Sequence, residues 1–295
     1  MSLVSVIVPV HNEARYLGDC LDALLNQELS TAEYEVIVVD NGSSDRSREI
    51  VRTRDRVQLL TEPQRGAYAA RNRGLQAARG ELVAFTDADC VPRRDWLQRL
   101  CNAVGQDPGI QVVMGRDIPT GPSKAIRLLG LYDHAKEIFV MSSDDPSVYY
   151  GHTNCMLTRR AALEATGGFD VRPRGADVIF VQRVLQRFGT GAVCYEPDAV
   201  VNHLEVHSAW VYFRKAFIYG RSARSYRRVV RARPLRGRER WHIFGETVRS
   251  NALPAIESAY LLALLTLGVA AYSAGLASVL RTPGSHASRS LEVEP

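Results

Sequence analysis

At 295 residues the chain is long enough to bury a sizeable core, and it suits one α/β domain with an appendage. Its 46% hydrophobic and 23% charged residues exclude a disordered, collagen-like or disulfide-scaffold protein, and its net charge of +5 is mild. The cysteines (Cys20, Cys90, Cys101, Cys155, Cys194) are odd in number, scattered and free of any C-x-x-C pair, which argues against structural zinc and for a reducing cytosol.

Residues 3–10 are a β-branched run stopped by Pro9, which predicts a buried first strand; with the chain opening directly on it, no signal peptide is expected. Asn12 and Glu13 open a helical stretch to about Gln27, with Leu17, Cys20, Leu21, Leu24 and Leu25 at helix spacing. A second buried strand over 34–39 runs into the polar loop Asp40–Asp45, and a helix over 46–54 follows. Then come a third strand near 57–60, a helix over 67–78 ended by Gly80, and a fourth strand over 81–86 leading straight into Asp87-Ala88-Asp89. This alternation predicts a mostly parallel sheet with helices on both faces. Ligands of such sheets bind outside the carboxyl ends of the strands. Three of those ends carry polar clusters, His11-Asn12-Glu13, Asp40-Asn41-Gly42 and Asp87-Ala88-Asp89, and a core has no use for acids at all three.

Beyond residue 110 the pattern loosens around Pro119, Gly121 and Pro122. Residues 151–160 and 167–170 read as a second turn-rich, polar region, followed by a helix over 178–188 and a short strand over 199–201 that ends at Asn202-His203. From Arg214 to Arg249 there are 12 Lys or Arg and 2 acids, with Trp210, Tyr212, Phe213, Phe217, Tyr219 and Tyr226 among or just before them. Residues 258–280 carry no charge at all. About 20 apolar residues span a bilayer as a helix, and the basic flank would then stay in the cytoplasm. A helix lying in the interface, or an oligomer contact, is the alternative for a stretch so rich in Ala, Ser and Gly. The cations lack any zinc or helix-turn-helix pattern, so anionic headgroups fit them better than nucleic acid, and no nucleic-acid partner is expected.

An Asp-x-Asp pair just past a buried strand sets two carboxylates close together at the rim. Asp87 and Asp89 would repel one another, and Mg²⁺ or Mn²⁺ relieves this while gripping a diphosphate. The bland reading is a turn or helix cap. Asp40 stands where a base or ribose could be read, although Asp-Asn-Gly-Ser-Ser-Asp is also good capping chemistry. Arg71 lies on a helix face that could point at a phosphate, or it forms a surface salt bridge.

Val6-Ile-Val-Pro-Val-His-Asn-Glu13, Val38-Val-Asp-Asn-Gly-Ser-Ser-Asp45, Gly66 with Ala70-Arg-Asn-Arg-Gly74, and Thr86-Asp-Ala-Asp89 strongly resemble glycosyltransferase family 2. Gly167-Gly168-Phe169-Asp170, after Asn154 and Arg159-Arg160, continues the likeness, which covers about residues 3–205. The resemblance implies a GT-A fold and a nucleotide diphosphate sugar, usually a UDP-sugar, bound at Pro9, Glu13 and Asp40. It also implies a metal at Asp89, with Asp87 facing the ribose or the metal. GT-A enzymes often take a third metal ligand from a place like that of His203; a structural histidine is the alternative. Members usually invert the anomeric centre with a base from a Glu-Asp pair, which here reads Ala176-Asp177, so Asp177 is the expected base or else a helix cap. Asp170 is the weaker candidate, and His11 replaces a more frequent Tyr. Processive synthases carry Gln-x-x-Arg-Trp, whereas Gly237-Arg-Glu-Arg-Trp241 lacks the Gln, which points to single-sugar transfer.

The expected organisation is a GT-A catalytic domain over 1–205, with a nucleotide half to about 110 and an acceptor half from 111. A basic, aromatic juxtamembrane segment over 206–257, a membrane helix over 258–280 and a polar tail over 281–295 follow. The expected location is the cytoplasmic side of the inner membrane, with an unidentified acceptor that is lipid-linked or part of the envelope. A nucleotidyltransferase and a membrane-tethered nucleotide-binding scaffold without turnover are the rivals.

Overall fold

The computed structural model describes residues 3–279, so the tail expected over 281–295 and the last residue of the 258–280 stretch lie outside the described residues. In chain order the regular elements are β1 Val4–Val10, α1 Leu17–Leu25, β2 Tyr34–Asp40, α2 Ser47–Arg52, β3 Val57–Thr61, α3 Ala67–Ala77, β4 Leu82–Thr86, β5 Cys90–Pro92 and α4 Trp96–Gln106. They continue with β6 Val112–Pro119, α5 Lys124–Met141, β7 Cys155–Arg159, α6 Arg160–Thr166, α7 Ala176–Phe188, β8 Val193–His203, α8 Ala209–Arg227, α9 Gly237–Ser250 and α10 Ala255–Ser278.

One mixed 8-stranded sheet runs β3-β2-β1-β4-β7-β6-β8-β5. β3, β2, β1 and β4 are mutually parallel, so the polar clusters after β1, β2 and β4 emerge at one edge of the sheet. Helices on both faces explain the unbroken apolar runs of these strands, because a strand covered twice has no solvent side. One core packs Leu17, Leu21 and Leu24 of α1 and Trp96, Leu97 and Leu100 of α4 against the sheet. The other packs Phe180, Val181 and Val184 of α7 with Phe85 and Phe169. Each such side chain, fully buried, contributes about 1.5–3 kcal/mol by leaving water.

The second half closes the sheet with antiparallel pairings. β7 inserts between β4 and β6, and β5 pairs with β8 so that Cys90 stands opposite His203. β6 and β8 run parallel with a bulge after Gly115: Gly115 pairs with Glu196, but Arg116 pairs with Val200. The residues absorbed around Pro197 restore the register, so that Asp117 faces Val201 and Pro119 faces His203.

The basic stretch is folded helix rather than a spacer. α8 and α10 cross in close contact: a Cβ on Gly220 would sit 2.0 Å from the Tyr272 carbonyl oxygen, and one on Gly275 would sit 2.0 Å from that of Phe217. α10 also packs on α5 through Leu128, Leu129, Leu261 and Leu264, and Glu257 pairs with Lys124 and Arg127 at 3.0 and 2.6 Å. Its outer side stays bare and apolar, with Ile256 79% and Leu267 56% exposed. α10 is long and apolar enough to cross a membrane by length and composition.

Candidate active site

The loops after β1 and β2 are tied together. Ser43 Oγ, Ser47 Oγ and Asp45 Oδ2 accept the backbone N–H groups of Asn12, Glu13 and Ala14, while Asn12 Oδ1 accepts that of Ser44. These bonds hold residues 12–14 in a turn, with Asn12 at φ 57°, so the helix starts at Leu17 and not at Asn12 as its sequence predicts. Glu13 is left facing a cavity of about 1140 Å³, together with Pro9, Arg71, Asp87, Asp89, Asp177 and His203. Burial and the nearby carboxylates of Asp89 and Glu205 push Glu13 up to about 7.

Asp40 departs from the expected arrangement. It is 1% exposed, does not line the cavity, and spends its carboxylate on the N–H groups of Gly42 and Ser43 and on Arg48 Nε at 2.7 Å. The turn-forming chemistry of the loop claims it locally, and the cavity wall at this strand end is Asn41. Arg71, 3% exposed, pairs with Asp87 and stacks 5.2 Å from the Tyr68 ring; its Nε is buried with no partner among the described residues.

Asp89 meets His203 because β5 and β8 pair there. His203 Nε2 lies 3.0 Å from Asp89 Oδ2, and its Nδ1 lies 3.0 Å from Asp117 Oδ2. Asn154 Nδ2 donates to the same Asp117 oxygen at 2.6 Å. Lys215 Nζ, from α8, stands 2.9 Å from His203 Nε2 and 2.7 Å from Glu205. Burial alone would push His203 down, yet the Asp117 and Asp89 carboxylates outweigh it and push the ring up to about 10. Burial would raise Asp89, but its hydrogen bond to His203 and the charge of that ring hold its carboxyl below the usual range.

Three carboxylates, Asp89, Asp117 and Glu205, therefore surround one imidazole and one ammonium, and the cluster attracts positive charge. A divalent cation would have to displace the proton on Nε2. With Nδ1–H donated to Asp117, the neutral ring would then offer an Nε2 lone pair beside a carboxylate oxygen, the donor set of a hard or borderline divalent cation with its outer-shell carboxylate in place. Mg²⁺ or Mn²⁺ fits these residues. Cys90 shares the cluster, but sulfur is a soft donor that suits Mg²⁺ or Mn²⁺ poorly, and burial pushes its thiol well above its ordinary range. Asp87 turns instead to Arg71.

Asp177 lines the cavity at the start of α7, behind Gly175, which caps the helix at φ 83°. Its Oδ1 accepts the N–H of Val178 at 2.9 Å, but the N-cap is Gly175, so Asp177 stands in the first turn of α7 and is not its cap. Burial raises its carboxyl above the ordinary range, partly opposed by a hydrogen bond from Tyr68. One face of α8, Tyr212, Lys215, Tyr219, Ser222 and Tyr226 at three- and four-residue spacing, forms the opposite wall. The residues that sequence reading misses here are Asp117, Glu205 and Lys215. Asp117 could have been found as an acid following the apolar run Val112–Met114, but Lys215 was hidden among other cations.

Residues 5–167 match the family profile described as Glycosyl transferase family 2. The chain is 40% identical over 135 residues to glycosyltransferase AglE of Haloferax volcanii, covering 43% of this chain and 44% of that one. It is 33% identical over 233 residues to the pre-mycofactocin glycosyltransferase of Mycobacterium tuberculosis, covering 75% of this chain and 46% of that one. It thus spans less than half the length of both curated relatives. Among solved structures, the mannosyltransferase PcManGT of Pyrobaculum calidifontis, in complex with GDP-Man and Mn²⁺, superposes with a TM-score of 0.65 at 22% identity, covering 95% of this chain and 87% of that one. TarS of S. aureus in complex with UDP-GlcNAc gives 0.54 at 17% identity, covering 95% and 92%. The fold implied by the motifs, GT-A, is the fold observed.

Proposed function

This chain belongs to glycosyl transferase family 2, and from that premise we propose that it moves a single sugar from a nucleoside diphosphate sugar to an amphiphilic or envelope acceptor, with inversion. The observation that carries the reading is the Asp89–His203–Asp117 chain at the mouth of the parallel strands, 3.0 Å at each link. Asp89 and His203 would hold a divalent cation, which would supply charge stabilisation to a leaving diphosphate. Asp117 fixes the ring of His203, and Arg71 keeps Asp87 at the rim with a cation beside it. Pro9, Asn41 and Glu13 form the wall against which a base can pack, and Asp40 braces the loop behind them. Nucleotide sugars bound by GT-A neighbours support this donor class, and a UDP-sugar is the donor we expect. Asp177 takes the acceptor hydroxyl's proton; its raised affinity for protons suits a general base, and the direct displacement inverts the anomeric centre.

We place the protein on an anionic, cytoplasm-facing membrane surface, with α10 lying in the interface. The crossing at Gly220 and Gly275 supports this over a spanning helix. A spanning α10 that kept the contact would drag Arg221 and Arg224 of α8 toward hydrocarbon, at a cost of several kcal/mol. Lying flat, it sets Ile256 and Leu267 into the headgroup boundary, and Trp210 of α8, 75% exposed, is available as an interfacial aromatic.

The test is thermal unfolding with a panel of nucleoside diphosphates, with and without Mn²⁺, on the wild type and Asp89→Ala. A ligand at 100 times its Kd stabilises the native state by about 2.7 kcal/mol. A rise with one nucleotide that needs Mn²⁺ and is lost in the variant is the expected result. No rise with any nucleotide would sink the reading.

A further inference from the structure

The cavity does not end at the cluster of Asp89, His203 and Asp177. Its lining also takes in Trp241 and Phe244 of α9 and Leu262, Leu265 and Val269 of α10, an apolar set of which Trp241, Leu262 and Val269 are open to solvent. Two arginines stand where the polar and apolar parts meet, and neither has an acid partner among the described residues. Arg227 donates to the Tyr272 hydroxyl at 2.7 Å, while its Nε is buried with no acceptor. Arg174 reaches over the Tyr219 ring, 5.8 Å from its centroid. Of the other cations of the wall, Arg71, Lys136, Lys215 and Arg233 are each paired with a carboxylate, whereas Arg116, Arg214 and Arg240 have no acid partner among the described residues and line the cavity with no contact to α10 side chains like that of Arg227 with Tyr272.

Arg174 and Arg227 are chain neighbours of Gly175 and Tyr226, which pack together near Asp177. The Tyr226 ring packs on Gly175, where a Cβ would sit 2.5 Å from ring carbon Cδ1, and Gly175 precedes Asp177 by two residues. Arg227 is half-buried and Arg174 exposed; the buried, unpartnered Nε–H of Arg227 is costly unless an anion completes it, while Arg174 is free to add a second cation from the solvent side. Solvated arginines on the outside of α8 carry no such cost. We propose that Arg227 and Arg174 form a binding site for the phosphate group of an amphiphilic acceptor, whose apolar chain runs along α9 and α10. The site deepens the glycosyl-transfer reading and rests on it for the word acceptor, but not for the binding itself.

The experiment is isothermal titration of the full chain with dodecyl phosphate, dodecanol and inorganic phosphate, on wild type, Arg227→Gln, Arg227→Lys and Arg174→Gln. Dodecyl phosphate is expected to bind best. Arg227→Gln should weaken it about tenfold or more, the size of one charge-assisted hydrogen bond, while Arg227→Lys loses less and dodecanol binding is unmoved. Arg174→Gln, which breaks no hydrogen bond within the protein, should weaken it several-fold. The proposal falls if dodecanol binds as tightly as dodecyl phosphate, or if neither Arg174→Gln nor Arg227→Lys weakens the phosphate ligand. Inorganic phosphate binding as tightly would also overturn it, by making this a free-phosphate site. Parallel unfolding with UDP and Mn²⁺ separates the two readings: dodecyl phosphate binding without a nucleotide response supports this site and removes the donor site.

Discussion

Lys215 sets its Nζ 2.9 Å from His203 Nε2, the same ring nitrogen that stands 3.0 Å from Asp89 Oδ2. A tethered ammonium thus holds the corner at which a divalent cation would be bound. Lys215→Met is expected to lower the unfolding midpoint without metal and to enlarge the rise produced by Mn²⁺, because the competing cation is gone. Thermal unfolding with and without Mn²⁺ checks this, and a smaller rise than in the wild type counts against it.

Asp177 carries its proton above the ordinary range because it is buried. A base works only when deprotonated, so turnover should fall as pH drops through that raised value, at higher pH than a free aspartate would give. Asp177→Asn keeps an oxygen for the Val178 N–H and should fold normally, yet lose about 10²–10⁴ in turnover while nucleotide binding persists. Donor consumption, followed across pH in both proteins, reads the effect.

Arg233 ties α9 to the loop after α5, pairing with Glu239 and Asp145 at 2.7 Å each. The hydrogen bond from Arg233 leads in holding Glu239 at about 2; those from Ser147 and then Arg233 hold Asp145 at about 2. Both values are depressed, so the stabilisation is full above the ordinary carboxylate range and is lost as pH falls from about 4.5 toward about 2. Arg233→Gln should cost about 1 kcal/mol or less at neutral pH, since the pairs are partly solvated. Its acid unfolding should also be less steep in that window, which urea titrations at several pH values measure.

An interfacial α10 keeps both of its ends on one side of the bilayer. Single cysteines at Ala255 and Ser278 should therefore both react with an impermeant thiol reagent added to the cytoplasmic side of sealed vesicles. Labelling of only one of the two would establish a spanning helix. The native thiols interfere little, four of the five being buried.

The nucleotide half was legible because β1, β2 and β4 are covered on both faces and end in polar clusters, so burial and chemistry change at the same residues. The later elements were not. α5 turns Asp133, Lys136 and Glu137 into the cavity, and those inward charges spoil the apolar stripe that would announce an 18-residue helix. The inward face of α8 is likewise polar, and its lysine read as one more headgroup-seeking cation. β8 was shortened to its last residues because Pro197 and Asp198 mark a bulge that interrupts a run of 11. Of the site, Asp89 and His203 were readable as types at strand ends. Their meeting depends on an antiparallel pairing between segments more than a hundred residues apart, which local patterns do not encode.

α8 belongs to two structures at once, with Lys215 and Tyr219 in the wall of the catalytic cavity and Gly220 bedded on α10. Cutting the chain near residue 205 to obtain a well-behaved soluble fragment would therefore unroof the cavity as well as remove the apolar helix α10. Loss of activity in such a fragment would say nothing about lipid dependence. Solubility has to be engineered on the bare flank of α10, by polar substitutions at positions such as Ile256 and Leu267, with the roof left in place.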